Sequence, residues 1–389
     1  MMIVHDPAVL PRGFRCASRN AGLKPEANDL SLFVSDVDAA AAAMFTRNHF
    51  PGAPILLGRE TIRAGRLRAI VANSKCSNVA TGQAGLENAR RMAAAAAAEI
   101  GTSPDRVLVS STGVIGVPLP IAKIERALQG MAGELQADPR IGALGIMTTD
   151  RIPKALSTSV GPATITWVAK GAGMIQPNMA TMLAYIFTDA EFDAATLDRM
   201  LRRAALASFS MLSIDTDTST SDTCALLANG LAGKVPEAEF QQSLTAGCIR
   251  LCETLARDGE GATKLLRGIV RGAATEDDAR TIARAIINSP LIKTMAHGAD
   301  PNVGRILMAI GKCFDCTIRP ETTDAWINGQ RVVENGIRCA FDETALRQEL
   351  RGDTVDIEVD LHLGNGEATA FGCDLTSGYI EENAAYFSS

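Results

Sequence analysis

Apolar positions recur along the chain with two spacings, and each predicts a kind of element. Val355, Ile357, Val359 and Leu361 alternate with Asp356, Glu358, Asp360 and His362, the period-two pattern of a half-buried strand. Gly364, Asn365 and Gly366 then turn the chain into residues 367–373, which predicts a β-hairpin. Residues 29–34 alternate in the same way, while 69–72 and 106–109 are short apolar runs suited to buried strands. Helical spacing appears at Ile121, Ile124, Leu128 and Met131, with Pro120 placed for a first turn. It returns at Phe240, Leu244, Cys248, Leu251 and Leu255. An amphipathic helix is expected over 193–209 with Asp193 as its cap, and another opened by Thr275 and Asp278 and running through Ile286. Leu86, Ala89, Met92 and a run of six alanines, closed by Gly101, predict a helix over 85–100. The alanine-rich stretch 38–44 predicts a further short helix.

Strands and helices intermingle over the whole length, without a solenoid repeat or a Ser- or Pro-rich linker, so the expected class is α/β or α+β layers. One stretch departs from the regular pattern. Residues 163–169 (ATITWVA) suit a strand, and 182–187 (MLAYIF) suit a strand buried on both faces. Between them, Gly171, Gly173, Pro177 and Asn178 impose a tight, irregular loop. Thr181 stands where that loop enters the second strand. A small hydroxyl residue held there by a rigid element is well placed for chemistry; the plain alternative is a turn whose threonine simply opens a strand.

Composition narrows the classes. With 389 residues, 47% hydrophobic and 21% charged, the chain is an ordinary globular protein with a substantial core. A net charge of −6, a pI near 5.4 and 4% aromatics argue against a nucleic-acid partner. No apolar run reaches the ~18 residues that span a bilayer, and the N-terminus lacks a basic-then-apolar leader. Nine cysteines, an odd number, then point to reduced thiols in a cytoplasmic setting.

Several motifs compete with the 170–183 loop. Asp215 and Asp217, two apart after an apolar run, could share a magnesium ion as in a phosphatase, or line a hydroxyl-rich turn by bonding their own backbone. Cys313 and Cys316 form a lone CxxC, and Cys248 and Cys252 lie at helical core spacing; buried free thiols explain both better than a metal. His297 sits among polar residues, yet no G-x-S-x-G elbow accompanies it, so it fits a bracing role better than a hydrolase triad. Gly233-Lys234 and Gly171-x-Gly173 lack the rest of a phosphate loop and of a dinucleotide fingerprint.

The run Lys170-Gly-x-Gly-Met-Ile-x-Pro-Asn-Met-Ala-Thr-Met-Leu resembles the self-cleavage site of the ornithine acetyltransferase (glutamate N-acetyltransferase) family. AGLKPEANDLSLFVSD, VSSTGVIG, IMTTD, SIDTDTSTSDT, DGEGATK, NSPLIKT, HGADPN and FGCDLTSGY resemble other segments of that family, in family order and over nearly the whole chain. The resemblance implies a four-layer α/β/β/α sandwich built by fragments 1–180 and 181–389 after cutting between Ala180 and Thr181. It implies Thr181 as nucleophile, Thr112 and Gly113 as oxyanion hole, and Thr148, Lys170, Thr181, Glu260, Asn383 and Ser388 as substrate-binding residues. The implied reaction moves an acetyl group from N2-acetylornithine to glutamate in arginine biosynthesis. It needs no metal or bound cofactor, acetyl-CoA being a second donor only in bifunctional members. The implied partners are amino-acid substrates and the chain's own fragments, as an α2β2 heterotetramer, with no nucleic acid or membrane.

Four positions depart from the family pattern. Val303 stands where tryptophan is expected and Arg151 where threonine is expected. Asn73-Ser74-Lys75-Cys76 replaces a Ser-Gly-Asn type sequence, and the tail ends in Phe387, Ser388 and Ser389. The last two bear on which amine is served, so an amidase or acyltransferase on another amine is the second reading.

Overall fold

The computed structural model describes residues 4–176 and 182–384. It divides into two units: Met1–Gly171, Pro177–Ser210 and Thr218–Leu251 form the first, and Ala172–Gln176, Met211–Asp217 and Cys252–Ser389 the second. This division by packing does not follow the 180–181 bond, because both units draw on chain from either side of it.

The first unit holds strands β1 (Phe14–Arg19), β2 (Leu30–Phe45), β3 (Arg66–Asn73), β4 (Val107–Ser111), β5 (Lys154–Val160), β6 (Ala163–Lys170), β7 (Leu183–Ala190) and β8 (Thr223–Gly233). They form one sheet in the order β4-β3-β2-β8-β7-β6-β5, with β1 paired to β2. Strand β2 corrects the reading of 38–44. Its alanines form no helix; Ala40 to Phe45 pair antiparallel with β8. Alanine's helix propensity is worth only tenths of a kcal/mol per residue over its rivals, and the ladder offered by β8, joined by β3 at Ala39 and Ala40, overrides it. The core beneath carries Phe14, Phe33, Tyr185 and Phe187, with Phe33 ring centroids 5.4 Å from Tyr185 and 5.3 Å from Phe187.

The helices expected over 85–100, 120–131 and 193–209 form, with observed bounds Gly82–Ile100, Ile121–Leu128 and Ala194–Ala207. Gly101 closes the first in the left-handed conformation, and Asp193 caps the last by accepting the Thr196 N–H. A long helix, Glu237–Arg257, buries the predicted Phe240, Leu244, Cys248, Leu251 and Leu255.

The second unit holds β9 (Leu265–Ala273), β10 (Asp324–Ile327), β11 (Gln330–Glu334), β12 (Ile337–Arg338), β13 (Thr354–Asp360) and β14 (Gly366–Cys373), in the order β12-β11-β10-β13-β9-β14. Val355, Ile357 and Val359 are buried as their alternation requires. The expected hairpin does not form. Strand β9 lies between β13 and β14, parallel to the first and antiparallel to the second. The 361–365 link crosses over β9, whose Leu266 and Val270 share a buried face while Leu265 is buried on the other. Helix Glu276–Asn288 starts where Thr275 accepts the Asp278 N–H, as the sequence indicates. Among the described residues no helix is long and apolar enough to cross a membrane.

Candidate active site

Strands β3 and β4 run parallel, with Asn73 beside Ser111 at their ends. Ser111 Oγ donates to Asn73 Oδ1 at 2.6 Å, and Asn73 Nδ2 donates to the carbonyls of Ser74 (3.2 Å) and Cys76 (2.9 Å). Asn73 therefore braces the turn that carries Thr112 and Gly113. The Thr112 N–H donates to the Asn73 carbonyl (3.0 Å) and the Val114 N–H to that of Lys75 (3.0 Å). The Gly113 N–H, between them, has no partner among the described residues, nor has the Thr112 hydroxyl. Gly113 adopts φ +125°, and a Cβ there would lie 2.3 Å from the Lys75 carbonyl carbon. Only glycine fits. The turn thus offers two unused donors, one main-chain and one hydroxyl, on a framework fixed by the sheet.

Lys170, at the end of β6, is buried rather than solvated, and its Nζ donates to Thr148 Oγ1 at 3.4 Å. Sequence reasoning missed the group that joins them. Asp150, buried, accepts the Thr148 N–H (2.9 Å), the Gly171 N–H (2.7 Å) and Lys154 Nζ (2.5 Å). Burial alone would raise the Asp150 pKa; Lys154, Lys170 and these donors outweigh it and hold the carboxyl below its ordinary range. Lys24 donates to the carbonyls of Asn28 (3.1 Å) and Met147 (2.7 Å), adding a cation beside Thr148. Its pKa is lowered chiefly by burial; Asp29 and Asp150 oppose the shift, and Lys170 and Lys75 add to it. Around Thr148 positive charge is in excess, which suits a carboxylate.

In the second unit Glu260 is buried, its N–H bonded to the Ala172 carbonyl at 2.8 Å. Asn383 Nδ2 donates to Glu260 Oε2 (2.8 Å) and to the Tyr379 carbonyl (3.0 Å). The structure so brings together Glu260 and Asn383, as it does Thr148 and Lys170. Gly173 lies against Glu260, where a Cβ would fall 2.2 Å from Oε2. The Tyr379 phenol is pushed up to about 12 by burial and then by Asp215, Glu260 and Asp217. This corner is negative, which suits a cationic amine.

Ala180, Thr181 and Ser388 lie outside the described residues. The rival readings lose ground. Asp215 accepts the N–H groups of Met174 (2.6 Å) and Ile175 (2.9 Å) from a distant segment and that of Asp217 (3.2 Å) from its own turn. Burial pushes its pKa up, against those donors. Among the described residues no group of three His, Cys, Asp or Glu side chains could hold a metal. His297 Nδ1 lies 3.1 Å from Asp374 Oδ2, an oxygen that also accepts the Thr263 hydroxyl at 2.5 Å. Both groups converge on the carboxylate, and among the described residues no hydroxyl is bonded to the imidazole as a triad requires. Cys248, Cys252, Cys313 and Cys316 are free thiols. Of the departures, Val303 is buried at a helix start, Arg151 is exposed, and Lys75 holds φ +73° against Gly113.

The sequence profile of the ArgJ family matches residues 15–388. The chain belongs to the ArgJ family. It is 43% identical over 382 residues to the arginine biosynthesis bifunctional protein ArgJ of Rhodococcoides fascians, covering 97% of this chain and 95% of that one. It is 42% identical over 385 residues to the glutamate N-acetyltransferase Oat2 of Streptomyces clavuligerus, covering 97% and 98%. The crystallised ArgJ of Bacillus halodurans is 40% identical with a TM-score of 0.51, over 53% of this chain and 100% of that chain. As an ArgJ-family protein the chain is an acyltransferase enzyme, and its mixed α/β class agrees with the fold expected of the family.

Proposed function

We propose that the protein cuts itself between Ala180 and Thr181 and then transfers an acetyl group from N2-acetylornithine to glutamate through an acyl-Thr181 intermediate. The observation that carries this reading is the near full-length identity to an ArgJ and to a glutamate N-acetyltransferase. Cleavage is further supported by the crystallised relative, whose whole chain is covered by 53% of this one; residues 181–389 are 209 of 389, a matching share.

A threonine hydroxyl needs an adjacent base to attack at neutral pH. Cleavage supplies one, since a free α-amine titrates near ~7.7–8.0 and is substantially neutral in a cell. Thr181 Oγ attacks the acetyl carbon while its amine takes the proton, ornithine leaves, and glutamate's amine reverses the sequence. The tetrahedral oxyanion is served by the Gly113 N–H and the Thr112 hydroxyl. Lys170 and Thr148 bind the α-carboxylate, while Glu260 and Asn383 receive the cationic side chain, with Ser388 a further substrate contact. No metal enters any step. The word bifunctional in the relative's name supports acetyl-CoA as a second donor. The two fragments per subunit would assemble as an α2β2 heterotetramer.

Intact mass tests the reading: two species, ending at Ala180 and beginning at Thr181, which incubation with acetylornithine and glutamate turns over to acetylglutamate. A single uncut species, or free acetate in place of acetylglutamate, would overturn it.

A further inference from the structure

Lys24 carries a charge that the mechanism above does not use, on a loop braced to hold it. Buried Asp29 accepts the N–H groups of Ala21 (2.7 Å), Leu23 (2.7 Å) and Lys24 itself (2.8 Å). The Asp29 carbonyl accepts the Ser74 N–H at 2.9 Å. Asn20 Nδ2 donates to the carbonyls of Lys24 (3.1 Å) and Ala27 (2.6 Å). From this fixed backbone the half-buried Lys24 side chain reaches the Met147 carbonyl at 2.7 Å and that of Asn28 at 3.1 Å. Lys170 Nζ meets the hydroxyl of the next residue, Thr148, at 3.4 Å. Two ammonium groups thus hold consecutive residues of one segment.

The neighbouring carboxylates are committed elsewhere. Asp29 spends its oxygens on its own loop, and Asp150 spends its oxygens on Lys154 Nζ and the Thr148 and Gly171 N–H groups. Of the three donors on an ammonium, Lys24 gives two to neutral carbonyls, and among the described residues no carboxylate forms an ion pair with it. A partly desolvated charge without a counter-ion is costly, and a bound carboxylate would relieve it. A neutral amide would serve to clip two carbonyls; charge is what a lysine adds.

We propose that Lys24 is a specificity-determining residue for acetyl transfer: beside Lys170 and Thr148 it supplies the second positive charge that selects substrates with a free α-carboxylate. The inference rests on the reading that Thr148 and Lys170 receive that carboxylate. Acetylornithine and glutamate both carry one, so the same charge serves donor and acceptor in turn. Lys24 makes and breaks no bond, and its effect falls on binding.

The test compares N2-acetylornithine with its α-amide as acetyl donors to glutamate, in wild type, Lys24→Met and Lys24→Arg. The amide lacks only the negative charge, and wild type is expected to favour the acid in kcat/KM. K24M keeps the reach of the side chain without its charge, and the preference should shrink by about tenfold or more, through KM rather than kcat. K24R keeps the charge and should retain most of the preference. A clip on the Met147 carbonyl alone would cost acid and amide alike. A folded K24M whose preference stays within about twofold of wild type therefore overturns the inference, as does a folded K24R that has lost it. Should K24M fail to fold, Lys24→Gln, a neutral donor that can still bond the carbonyls, decides by the same two outcomes. A wild type that transfers no acetyl group would instead defeat the reading on which the inference rests.

Discussion

The Thr112 N–H donates to the Asn73 carbonyl at 3.0 Å, so of the two neighbours in this turn only Gly113 keeps an unpaired main-chain donor among the described residues. What Thr112 has left to offer an oxyanion is its hydroxyl. The two halves of the proposed hole are therefore chemically different, and they respond differently to substitution.

Thr112→Val removes the hydroxyl and keeps the volume. Acetyl transfer should fall by about 10²–10³-fold in kcat with little change in melting temperature, since one oxyanion donor is worth roughly 2.7–4 kcal/mol. Steady-state kinetics beside a thermal melt checks the pair. Gly113→Ala should lower both, because its Cβ meets the Lys75 carbonyl carbon at 2.3 Å and φ +125° strains any L side chain.

Asn73→Ala tests the brace. It strands the Ser111 hydroxyl and the Ser74 and Cys76 carbonyls, all in buried surroundings. Stability should drop by about 1–3 kcal/mol, read by urea unfolding, and Thr112→Val should not add to the loss.

Asp150→Asn separates charge from packing. Its folded pKa is depressed, so the unfolded state binds more protons just below the ordinary carboxyl value, and the stability that Asp150 contributes is lost as pH falls through the folded pKa. The variant should lose about 3–5 kcal/mol at pH 7, because it removes one partner of the buried ion pair between Asp150 and Lys154. Below about pH 4 the gap to wild type should close, as unfolding at pH 7 and pH 3 will reveal.

Asp222 has the opposite sign. Burial raises its folded pKa, so the folded state binds the extra proton, and stability falls as pH rises from the ordinary carboxyl value towards the folded one. Asp222→Asn should remove that slope and be at least as stable as wild type at pH 7. A variant markedly less stable there would contradict the raised pKa.

Glu260→Gln keeps the Asn383 contact but removes a negative charge. The expected result is a higher KM for acetylornithine, about tenfold or more for the loss of a charge-assisted contact, with kcat on bound substrate largely kept. An unchanged KM would take the cationic side chain away from this corner.

Much of this was legible in the chain. The 3.6-residue spacing from Phe240 to Leu255 and the alternation from Val355 to Val359 specify their elements because burial acts on local side chains. Residues 38–44 misled because their alanines carry no face preference, so the partners, β3 and β8, decided. The false hairpin came from a genuine turn at Gly364 to Gly366 whose neighbours in space, on β9, lie some ninety residues earlier. The same distance hid the supporting groups. Asp150 sits inside the recognised IMTTD segment, yet nothing local announces that Lys154, Gly171 and Thr148 meet on it. Asp222 follows a hydroxyl-rich run that reads as a turn, and only the parallel pairing of β7 with β8 sets it beside Met182.

The strand order of the first sheet carries one more consequence. Strands β7 and β8 follow residue 181 in the chain, yet they lie between β2 and β6, which precede it, with Ala40 to Phe45 laddered on one side and Ile165 to Lys170 on the other. A break at 180–181 would not release two halves. It would leave two polypeptides woven through one sheet, and neither could depart without baring a pair of apolar strand edges, the surfaces along which unfinished chains aggregate. Were the chain cut there, assembly would come before the cut. In a single thread the later strands take their places in the middle of the earlier ones without having to find a second chain.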